Sequence, residues 1–266
     1  MLREALSLLY RQRVLTWELA KRELRDRHAG SALGVAWALL HPLVQLAVYA
    51  LVFTQIFKVR LGGTADMPFG YTVYIFSGLL PWLAISDSVS RSTVALSGNA
   101  SLVKQVVFPV EVLPVKSTLA VLVPHGMALC VALAYTLVSE GRVPATYLLL
   151  PLLLAVELVL LAGIGWLVAA VGAYFRDLKD IVQVFLVLGV YCVPAFYVES
   201  WVPPALRWPI LLNPFSHVIY MFQDVMYYGR ILHPWSWCVA FAFAGLSFYG
   251  GYRVFRGLKV YYGSVL

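Results

Sequence analysis

The side chains best suited to bind a ligand form a regular row in the first long apolar segment of the chain. Trp37, His41, Gln45, Tyr49 and Phe53 recur every four residues in a segment made mostly of Ala, Leu and Val. Aromatic rings can stack on the C–H faces of sugars, and amide and imidazole groups can exchange hydrogen bonds with hydroxyls. The row therefore predicts the wall of a channel that accepts sugars. An interfacial belt of aromatic residues combined with helix-packing polar residues would explain the same spacing.

The rest of the sequence offers little that could carry out catalysis. No Gly-Lys dipeptide is present, so the chain lacks the G-x-x-x-x-G-K-[ST] loop that cradles nucleotide phosphates. The histidines are scattered without the spacing of metal ligands. Glu157 is a single acid within an apolar segment, where it could serve a function or form a hydrogen bond between helices. We therefore expect no catalytic residue, no metal site and no cofactor in this chain.

Six long apolar segments must position these residues, and they hold very few charges. A helix needs about 20 residues to cross a hydrocarbon core of about 30 Å. Segments of this length indicate helices rather than a β-barrel, because backbone in lipid must satisfy its own hydrogen bonds. The sequence predicts an all-α membrane protein whose six transmembrane helices cover residues 31–57, 67–86, 114–139, 144–174, 181–198 and 231–253.

The composition agrees with a membrane protein. Apolar residues make up 61% of the chain and charged residues 12%, whereas a soluble domain has roughly 45–50% and 25%. The spans and their short connections take up nearly all of the 266 residues, which leaves no room for a separate soluble catalytic domain. We expect residues 31–266 to form one transmembrane domain, preceded by an interface helix in residues 1–30.

The basic residues predict the orientation in the membrane. Of the 20 Lys and Arg residues, fifteen fall in the N-terminal segment, in the connections after the second and fourth spans, and near the C-terminus. These segments all lie on one side, and the positive-inside rule places that side, with both termini, in the cytoplasm. The net charge of +7 then reflects topology. Its spread over four membrane-flanking segments argues against a nucleic-acid partner.

The N-terminal segment has the pattern of an amphipathic helix that lies in the membrane interface. Leu6 and Ala20 fall on one face at helical spacing. Lys21, Arg22 and Arg25 lie mostly opposite, where they would contact anionic headgroups. The helix could be a topology anchor, or it could be a docking surface for an anionic lipid-linked substrate or a partner subunit.

The connection after the second span is long enough to receive force from a soluble partner. Residues 91–107 have a helical composition with an interruption at Gly98-Asn99, and Phe108-Pro109 would end the helix. A proline at Val94 should then break this helix, at a cost of about 3 kcal/mol. A plain surface loop is the alternative. The tight turn after the fourth span, residues 176–180, alternates in charge and would make a second contact.

The connection after the fifth span, residues 198–230, is rich in aromatic residues and prolines. Asn213-Pro214 predicts a turn, and the apolar helix that follows is too short to cross a membrane. Trp and Tyr favour the interface, and non-helical backbone persists at that depth only when protein covers it or when it lines a water-filled cavity. We therefore predict a re-entrant periplasmic gate between helices 5 and 6, with a simple interfacial hairpin as the alternative.

Several motifs, in order along nearly the whole chain, resemble those of one family. They are residues 19–27 (LAKRELRDR), Gly30 to Gly34 with Trp37 and Pro42, residues 77–82 (SGLLPW), Asn99 to Lys104, Phe108-Pro109 with Glu111, residues 174–177 (YFRD), Pro194 with Tyr197, and Asn213-Pro214. Each motif is weak alone, but their order and spacing are specific. The chain resembles ABC-2 type permeases and, more narrowly, the Wzm/TagG group, which exports O-antigen and teichoic-acid polymers.

The resemblance implies a homodimer in the bacterial cytoplasmic membrane, docked to two separate ABC ATPase subunits that bind ATP and Mg. It implies transport of a polysaccharide on an undecaprenyl-diphosphate lipid from cytoplasm to periplasm. The residues implied at the coupling surface are Arg91, Val94, Asn99, Lys104, Arg176 and Asp177. The residues implied at the periplasmic gate are Tyr197, Trp201, Asn213, Pro214 and Phe215. An ABC-2 exporter of a small lipid, a drug or haem is the alternative, followed by a membrane enzyme that acts on lipid-linked sugars.

Overall fold

A computed structural model describes residues 2–27, 29–56, 67–104 and 108–265. Within these ranges all regular secondary structure is helical, as the sequence predicts. The α-helices there are α1 (Leu2–Arg11), α2 (Arg13–Asp26), α3 (Trp37–Leu51), α4 (Tyr71–Thr93), α5 (Ala100–Val103), α6 (Val112–Glu140), α7 (Leu150–Gly172), α8 (Leu178–Gly189), α9 (Pro204–Leu212), α10 (Pro214–Gln223), α11 (Pro234–Leu258) and α12 (Tyr262–Val265).

Four helices of the described residues are long and apolar enough to cross a membrane, and they correspond to the predicted second, third, fourth and sixth spans. They are Tyr71–Thr93, Val112–Glu140, Ala145–Gly172 and Pro234–Tyr261. The last two include 3-10 turns next to α7 and α11. The shortest of the four has 23 residues, which is about 34 Å at 1.5 Å per residue. All four therefore exceed the thickness of a hydrocarbon core.

The predicted first and fifth spans are shorter helices. α3 is flanked by a 3-10 turn at Gly34–Ala36 and a π-helical turn at Val52–Ile56; residue 57 lies outside the described residues. The predicted end of the fifth span at residue 198 is wrong, because α8 and the turn after it end at Cys192. Pro194 explains the early end. The residue before a proline favours extended backbone, and Val193 has φ −123° and ψ 152°.

The N-terminal segment folds as two helices rather than as the single predicted helix. Gln12 separates α1 from α2 with non-helical backbone. α2 packs against α6 and buries Thr16 and Ala20. Leu6 and Trp17 remain exposed, so the apolar side chains divide between the protein core and the outside. Met1 and His28 lie outside the described part of the chain.

The connection between α4 and α6 also differs from the prediction. Arg91 belongs to the last turn of α4, and Val94 follows the end of that helix. A 3-10 turn at Ser97–Asn99 and the short α5 come next. Residues 105–107 are not among the residues that the structure describes. The predicted helix over residues 91–107 is therefore wrong at residues 94–96, which form a turn, whereas helical turns at 97–103 include the predicted interruption at Gly98-Asn99. Ala95 and Leu96, in the turn after α4, are both buried in the same apolar cluster as Trp166.

Both ends of the chain meet at one end of the helix bundle, which we call the terminal face. Lys259 Nζ lies 2.6 Å from Glu111 Oε1, just before α6. Arg256, in the last turn of α11, forms an ion pair with Glu4 of α1. The terminal face thus consists of α1, α2, the connection from α4 to α6, and the C-terminal residues.

The opposite end of the bundle, which we call the hairpin face, contains the connection from α8 to α11. In this connection α9 and α10 meet at Asn213, and a π-helical turn, Asp224–Tyr228, ends at Gly229 with φ +65°. The hydroxyl of Thr146, before α7, donates to the carbonyl of Val225 at 2.6 Å. The hairpin face is therefore fixed to the start of α7.

α7 and α11 pack so closely that glycine is required at their crossing. A Cβ added to Gly251 would lie 2.0 Å from the carbonyl oxygen of Gly163. A Cβ added to Gly163 would lie 2.3 Å from the backbone of Phe248. The two longest apolar helices of the second half of the described chain therefore meet backbone to backbone.

Candidate functional site

A cavity of about 350 Å³ lies between α3, α4, α6 and α8. α4 contributes Trp82, Ser86 and Ser90 to its wall, and α8 with its following turn contributes Gln183 and Tyr191. Small-molecule sites commonly measure roughly 300–1,000 Å³ and combine apolar walls with a few polar groups. The size and lining fit a ligand that has both hydroxyl groups and apolar faces.

The structure brings three of the five predicted channel residues to this cavity. His41, Gln45 and Tyr49 line it, all from α3. Trp37 lies at the start of α3 and is partly exposed, and Phe53 stacks on Phe196 with ring centroids 5.2 Å apart. The physical reason is the helical repeat: four-residue steps drift by about 40° each, so a row of five cannot stay on one face. The middle of the row faces the cavity, and its ends face elsewhere.

One end of the cavity closes on a group of charged side chains at the terminal face. Asp87 of α4 accepts from Arg27 Nη1 at 3.1 Å and from Arg91 Nε at 2.8 Å. Glu23 of α2 lies 3.1 Å from Lys116 Nζ of α6 and 4.0 Å from Arg91 Nη1. We call these five residues the Glu23 network. It connects α2 with α4 and α6 directly beside the cavity.

The three basic residues predicted to contact lipid headgroups lie on α2, on the side away from this network. Lys21 pairs with Glu18 at 2.7 Å, and Arg22 pairs with Asp26 at 3.3 Å. Arg22 and Arg25 are exposed. Sequence reasoning missed Glu23 and its partner Lys116, although Glu23 sits in the middle of a basic run. An acid surrounded by bases is the signal that could have identified it.

The four coupling residues predicted after the second span lie together at the terminal face. The Asn99 amide nitrogen donates to the carbonyl of Ala95 at 2.9 Å, and its oxygen accepts from Lys116 at 3.4 Å. Arg91 belongs to the Glu23 network, while Val94 and Lys104 are exposed. This arrangement links the exposed segment to the same Lys116 that holds Glu23.

The two predicted coupling residues after the fourth span are exposed in the turn between α7 and α8. Arg176 and Asp177 form this turn, and the carbonyl of Asp177 accepts from the backbone N–H groups of Asp180 and Ile181, each at 3.1 Å. Asp177 is the residue immediately before α8. The turn is therefore a rigid entry to one of the helices that line the cavity.

A polar pair lies in the middle of the bundle, behind one wall of the cavity. His125 Nε2 of α6 is 3.1 Å from Glu157 Oε2 of α7, and both side chains are almost completely buried. The distance is that of an ion pair, although the angles are not those of a good hydrogen bond, and no other polar partner of the described residues reaches the carboxylate. Sequence reasoning singled out Glu157 but not His125. Their similar distances from the short connection 141–144 could have indicated the pairing.

At the hairpin face, the chain between α8 and α9 has non-helical backbone whose carbonyl groups are satisfied by side chains. Gln223 Nε2 donates to Pro194 O at 2.6 Å, and the Tyr74 hydroxyl donates to Tyr197 O at 2.8 Å. The Tyr71 hydroxyl donates to the carbonyl of Phe196. Buried backbone groups need such partners because water is absent. α4 and α10 thereby hold the break in the chain after α8.

The predicted gate residues surround this break. Asn213 accepts from the Phe215 N–H at 3.1 Å through its side chain and donates to Cys192 O at 3.2 Å, so it caps α10 and holds the end of the preceding helix. Pro214 occupies the first position of α10, where its missing N–H has no cost. Phe215 packs against Trp82 in the cavity wall, and Trp201 packs against Tyr71. The gate residues and the cavity are therefore in contact.

A completely buried carboxylate that the sequence did not reveal closes the hairpin face. Asp224 accepts from the backbone N–H of His233 at 3.1 Å, from its Nδ1 at 2.7 Å, and from Trp237 Nε1 at 2.9 Å. These bonds attach the end of α10 to the start of α11. Among the described residues, no three or more His, Cys, Asp or Glu side chains come together as a metal site.

Comparison with known proteins agrees with this architecture. Residues 14–227 match the model of the ABC-2 type transporter family. The chain is 30% identical over 226 residues to the O-antigen export system permease protein RfbA of Myxococcus xanthus, with 84% of each chain covered. It is 24% identical over 250 residues to the RfbA protein of Klebsiella pneumoniae, with 93% of each covered.

A further relative is the polysialic acid transport protein KpsM of Escherichia coli. It is 25% identical over 223 residues, which cover 83% of this chain and 84% of KpsM. The family match spans most of the chain and includes α3, α4, α6, α7, α8 and α10. The resemblance predicted from the motifs is confirmed, and this multi-pass membrane chain belongs to the ABC-2 type transporter family.

Proposed function

We propose that this chain is the channel-forming membrane subunit of an ATP-driven exporter of polysaccharide. Its substrate would be a polymer on undecaprenyl diphosphate, such as O-antigen, that moves from cytoplasm to periplasm. The observation that carries the proposal is the cavity, where Gln45 and Tyr49 stand among serines and aromatic rings. Sugars need both hydrogen-bonding groups and ring faces. The relatives named for O-antigen export and for polysialic acid transport support the same substrate class.

ATP would be hydrolysed by a separate subunit, because the sequence has no Gly-Lys dipeptide and hence no phosphate-binding loop of that class. The working assembly would contain two copies of this chain and two ATPase subunits with their ATP and Mg. The terminal face is the docking surface in this proposal, since Val94 and Lys104 are exposed there, on the segment that Asn99 links to Lys116 of the Glu23 network. The terminal face and both termini would lie in the cytoplasm in this proposal, and the Arg and Lys residues of that face support this orientation through the positive-inside rule.

In this proposal α3 and α8 are the first and fifth of six spans in the bacterial cytoplasmic membrane, and residues 199–228 enter the outer leaflet and return. The side-chain partners of the backbone between Pro194 and Tyr197 support it, because backbone exposed to lipid could not remain non-helical. Labelling of Cys substituted at Glu199 and at Arg230 with an impermeant thiol reagent tests it. Both should react from the periplasmic side, and cytoplasmic labelling of either would contradict six spans.

Two substitutions in the cavity test the proposed function. Gln45→Ala and Tyr49→Ala should lower polysaccharide export severalfold, with polymer retained inside the cell and with normal co-purification of the ATPase subunit. Val48→Ala is the matched control, since Val48 precedes Tyr49 on α3 but is 54% exposed. Phe53→Ala would also lower export, but through its contact with Phe196 at the hairpin face. Normal export by both cavity variants would contradict a sugar path through this cavity.

A further inference from the structure

The pair of His125 and Glu157 has no role in the function proposed above, yet it occupies the centre of the bundle. His125 is residue 14 of the 29-residue α6, and Glu157 lies near the middle of the 28-residue helix Ala145–Gly172. Their side chains are 3% and 0% exposed. An ionisable group at such a depth is costly in a membrane protein and usually has a function. The pair therefore requires an explanation beyond packing.

The contact with Glu157 determines what His125 can offer to a ligand. The imidazole has two nitrogens, and the partner of one decides the tautomer and thus the role of the other. Nε2 faces the carboxylate at 3.1 Å, and an ionised carboxylate can only accept hydrogen bonds. The contact lacks hydrogen-bond angles, but a carboxylate at this distance attracts an N–H hydrogen, which favours the tautomer of a neutral imidazole that carries its hydrogen at Nε2. Nδ1 is left as an acceptor.

His125 also belongs to the cavity wall, whereas Glu157 lies behind it. The apolar ring of Phe222 packs edge-on to the imidazole, with centroids 6.1 Å apart. Gln45 and Ser86 are polar groups of the same cavity. The other α6 residues of the wall, Val121, Pro124 and Ala128, are apolar, so an acceptor on the α6 side of the cavity must come from the imidazole of His125. This is the complement of a sugar, whose hydroxyl groups can all donate.

We propose that His125 binds a substrate hydroxyl in the cavity through Nδ1, and that Glu157 is the positioning residue that fixes its tautomer. The proposal rests on the proposed function, since it names a binding residue within the same sugar path. The competing explanation is that the pair only joins α6 to α7. A neutral contact already joins α6 to the turn before α7 nearer the hairpin face, where the Thr136 hydroxyl lies 3.2 Å from the Tyr147 hydroxyl.

Two double variants separate these explanations without leaving a buried charge unpaired. In His125→Asn with Glu157→Gln, the Asn amide can occupy the position of Nδ1 and keep a polar group toward the cavity. In His125→Gln with Glu157→Gln, the longer amide reaches the position of Nε2 and keeps the contact with residue 157 only. Thr136→Val is the matched control, since it removes a buried hydrogen bond between the same two parts of the chain away from the cavity.

The measurement is ATP hydrolysis by the complex with its ATPase subunits in proteoliposomes. The probe is lipid-linked polysaccharide extracted from cells that lack the transporter. We expect the His125→Gln double variant to need about tenfold more polysaccharide for half-maximal stimulation, the loss of roughly one hydrogen bond. The His125→Asn double variant should stay within about threefold of the native complex, and Thr136→Val should not change the half-maximal concentration.

The assignment of His125 would be overturned if the two double variants had equal half-maximal concentrations. It would also be overturned if the His125→Gln double variant needed less polysaccharide than the His125→Asn double variant. Reduced assembly of both, with an unchanged half-maximal concentration, would show that the pair is structural. Absence of any stimulation of the native complex would instead contradict the proposed function. The two failures are therefore distinguishable in a single set of measurements.

Discussion

The carboxylate of Glu23 on α2 lies 3.1 Å from the ammonium group of Lys116 on α6. The same carboxylate accepts a hydrogen bond from the Ser117 hydroxyl at 3.0 Å. Lys116 in turn donates to Asn99, in the exposed segment after α4. A single side chain of the N-terminal helix thus reaches the start of a long apolar helix and, through Lys116, the proposed docking surface. Movement of α2 and of that segment cannot be independent while this contact persists.

Glu23→Ala should therefore destabilise the protein by about 1–3 kcal/mol, because the Lys116 ammonium, whose side chain is 9% exposed, loses its carboxylate partner. Thermal unfolding in detergent measures this loss. Glu18→Ala is the matched control on the same helix, since the pair of Glu18 with Lys21 is exposed and should contribute about 0–1 kcal/mol. Equal effects of the two substitutions would show that Glu23 contributes nothing as a buried partner.

Val94→Pro should be milder than the sequence predicts. Val94 follows the end of α4, and its N–H donates to the carbonyl of Arg91 at 3.2 Å. Loss of that bond should cost about 1 kcal/mol, and some strain is added because Val94 has φ −107° whereas proline holds φ near −65°. Val89→Pro, inside α4, should cost about 3 kcal/mol or more. We expect the Val94 variant to assemble with the ATPase subunit and the Val89 variant to fail, as measured by co-purification. If neither variant co-purified with the ATPase subunit, proline after the end of α4 would be as disruptive as proline inside it, contrary to this prediction.

Gly251→Ala should disrupt the crossing of α7 and α11. The new methyl group would lie 2.0 Å from the carbonyl oxygen of Gly163, and such overpacking costs typically about 1–3 kcal/mol. At Gly250 a Cβ would meet nothing within 4 Å, so Gly250→Ala should stabilise α11 by up to about 1 kcal/mol. The melting temperatures of the two variants should move in opposite directions. A stable Gly251→Ala protein would mean that the two helices can separate without loss.

Gln223→Leu should loosen the break in the chain after α8. The substitution removes the donor to Pro194 O, whose other contact, with the Tyr74 hydroxyl, is 3.4 Å long. Pro194 O would then keep only the longer bond, at a cost of about 0.5–1.5 kcal/mol, and amide hydrogen exchange in residues 190–200 should accelerate. Ser77→Ala serves as the control, because the Ser77 hydroxyl only donates to Tyr74 O within its own helix. Unchanged exchange in the Gln223 variant would show that another group holds this backbone.

The sequence alone determined the class of the protein and the helices that carry it. An apolar run of 20 or more residues strongly favours a membrane-spanning helix. The predicted spans around α4, α6, α7 and α11 accordingly agree with the long apolar helices of the structure. The end of the helical chain at Cys192, after α8 and its 3-10 turn, could also be predicted from Pro194, although hydropathy alone extended the span past it. Local backbone chemistry and hydropathy are properties of neighbouring residues, so they can be predicted without a fold.

Only the tertiary structure decided which polar groups meet. His125 and Glu157 are 32 positions apart, and Glu23 and Lys116 are 93 apart, so their pairing depends on how the helices pack and rotate. The row of predicted channel residues on α3 shows that the sequence also does not reveal which way a helix faces. Its spacing is visible in the sequence, but the rotation of the helix left only its middle at the cavity. Contacts between distant residues depend on packing of the whole bundle, and a local pattern does not contain that information.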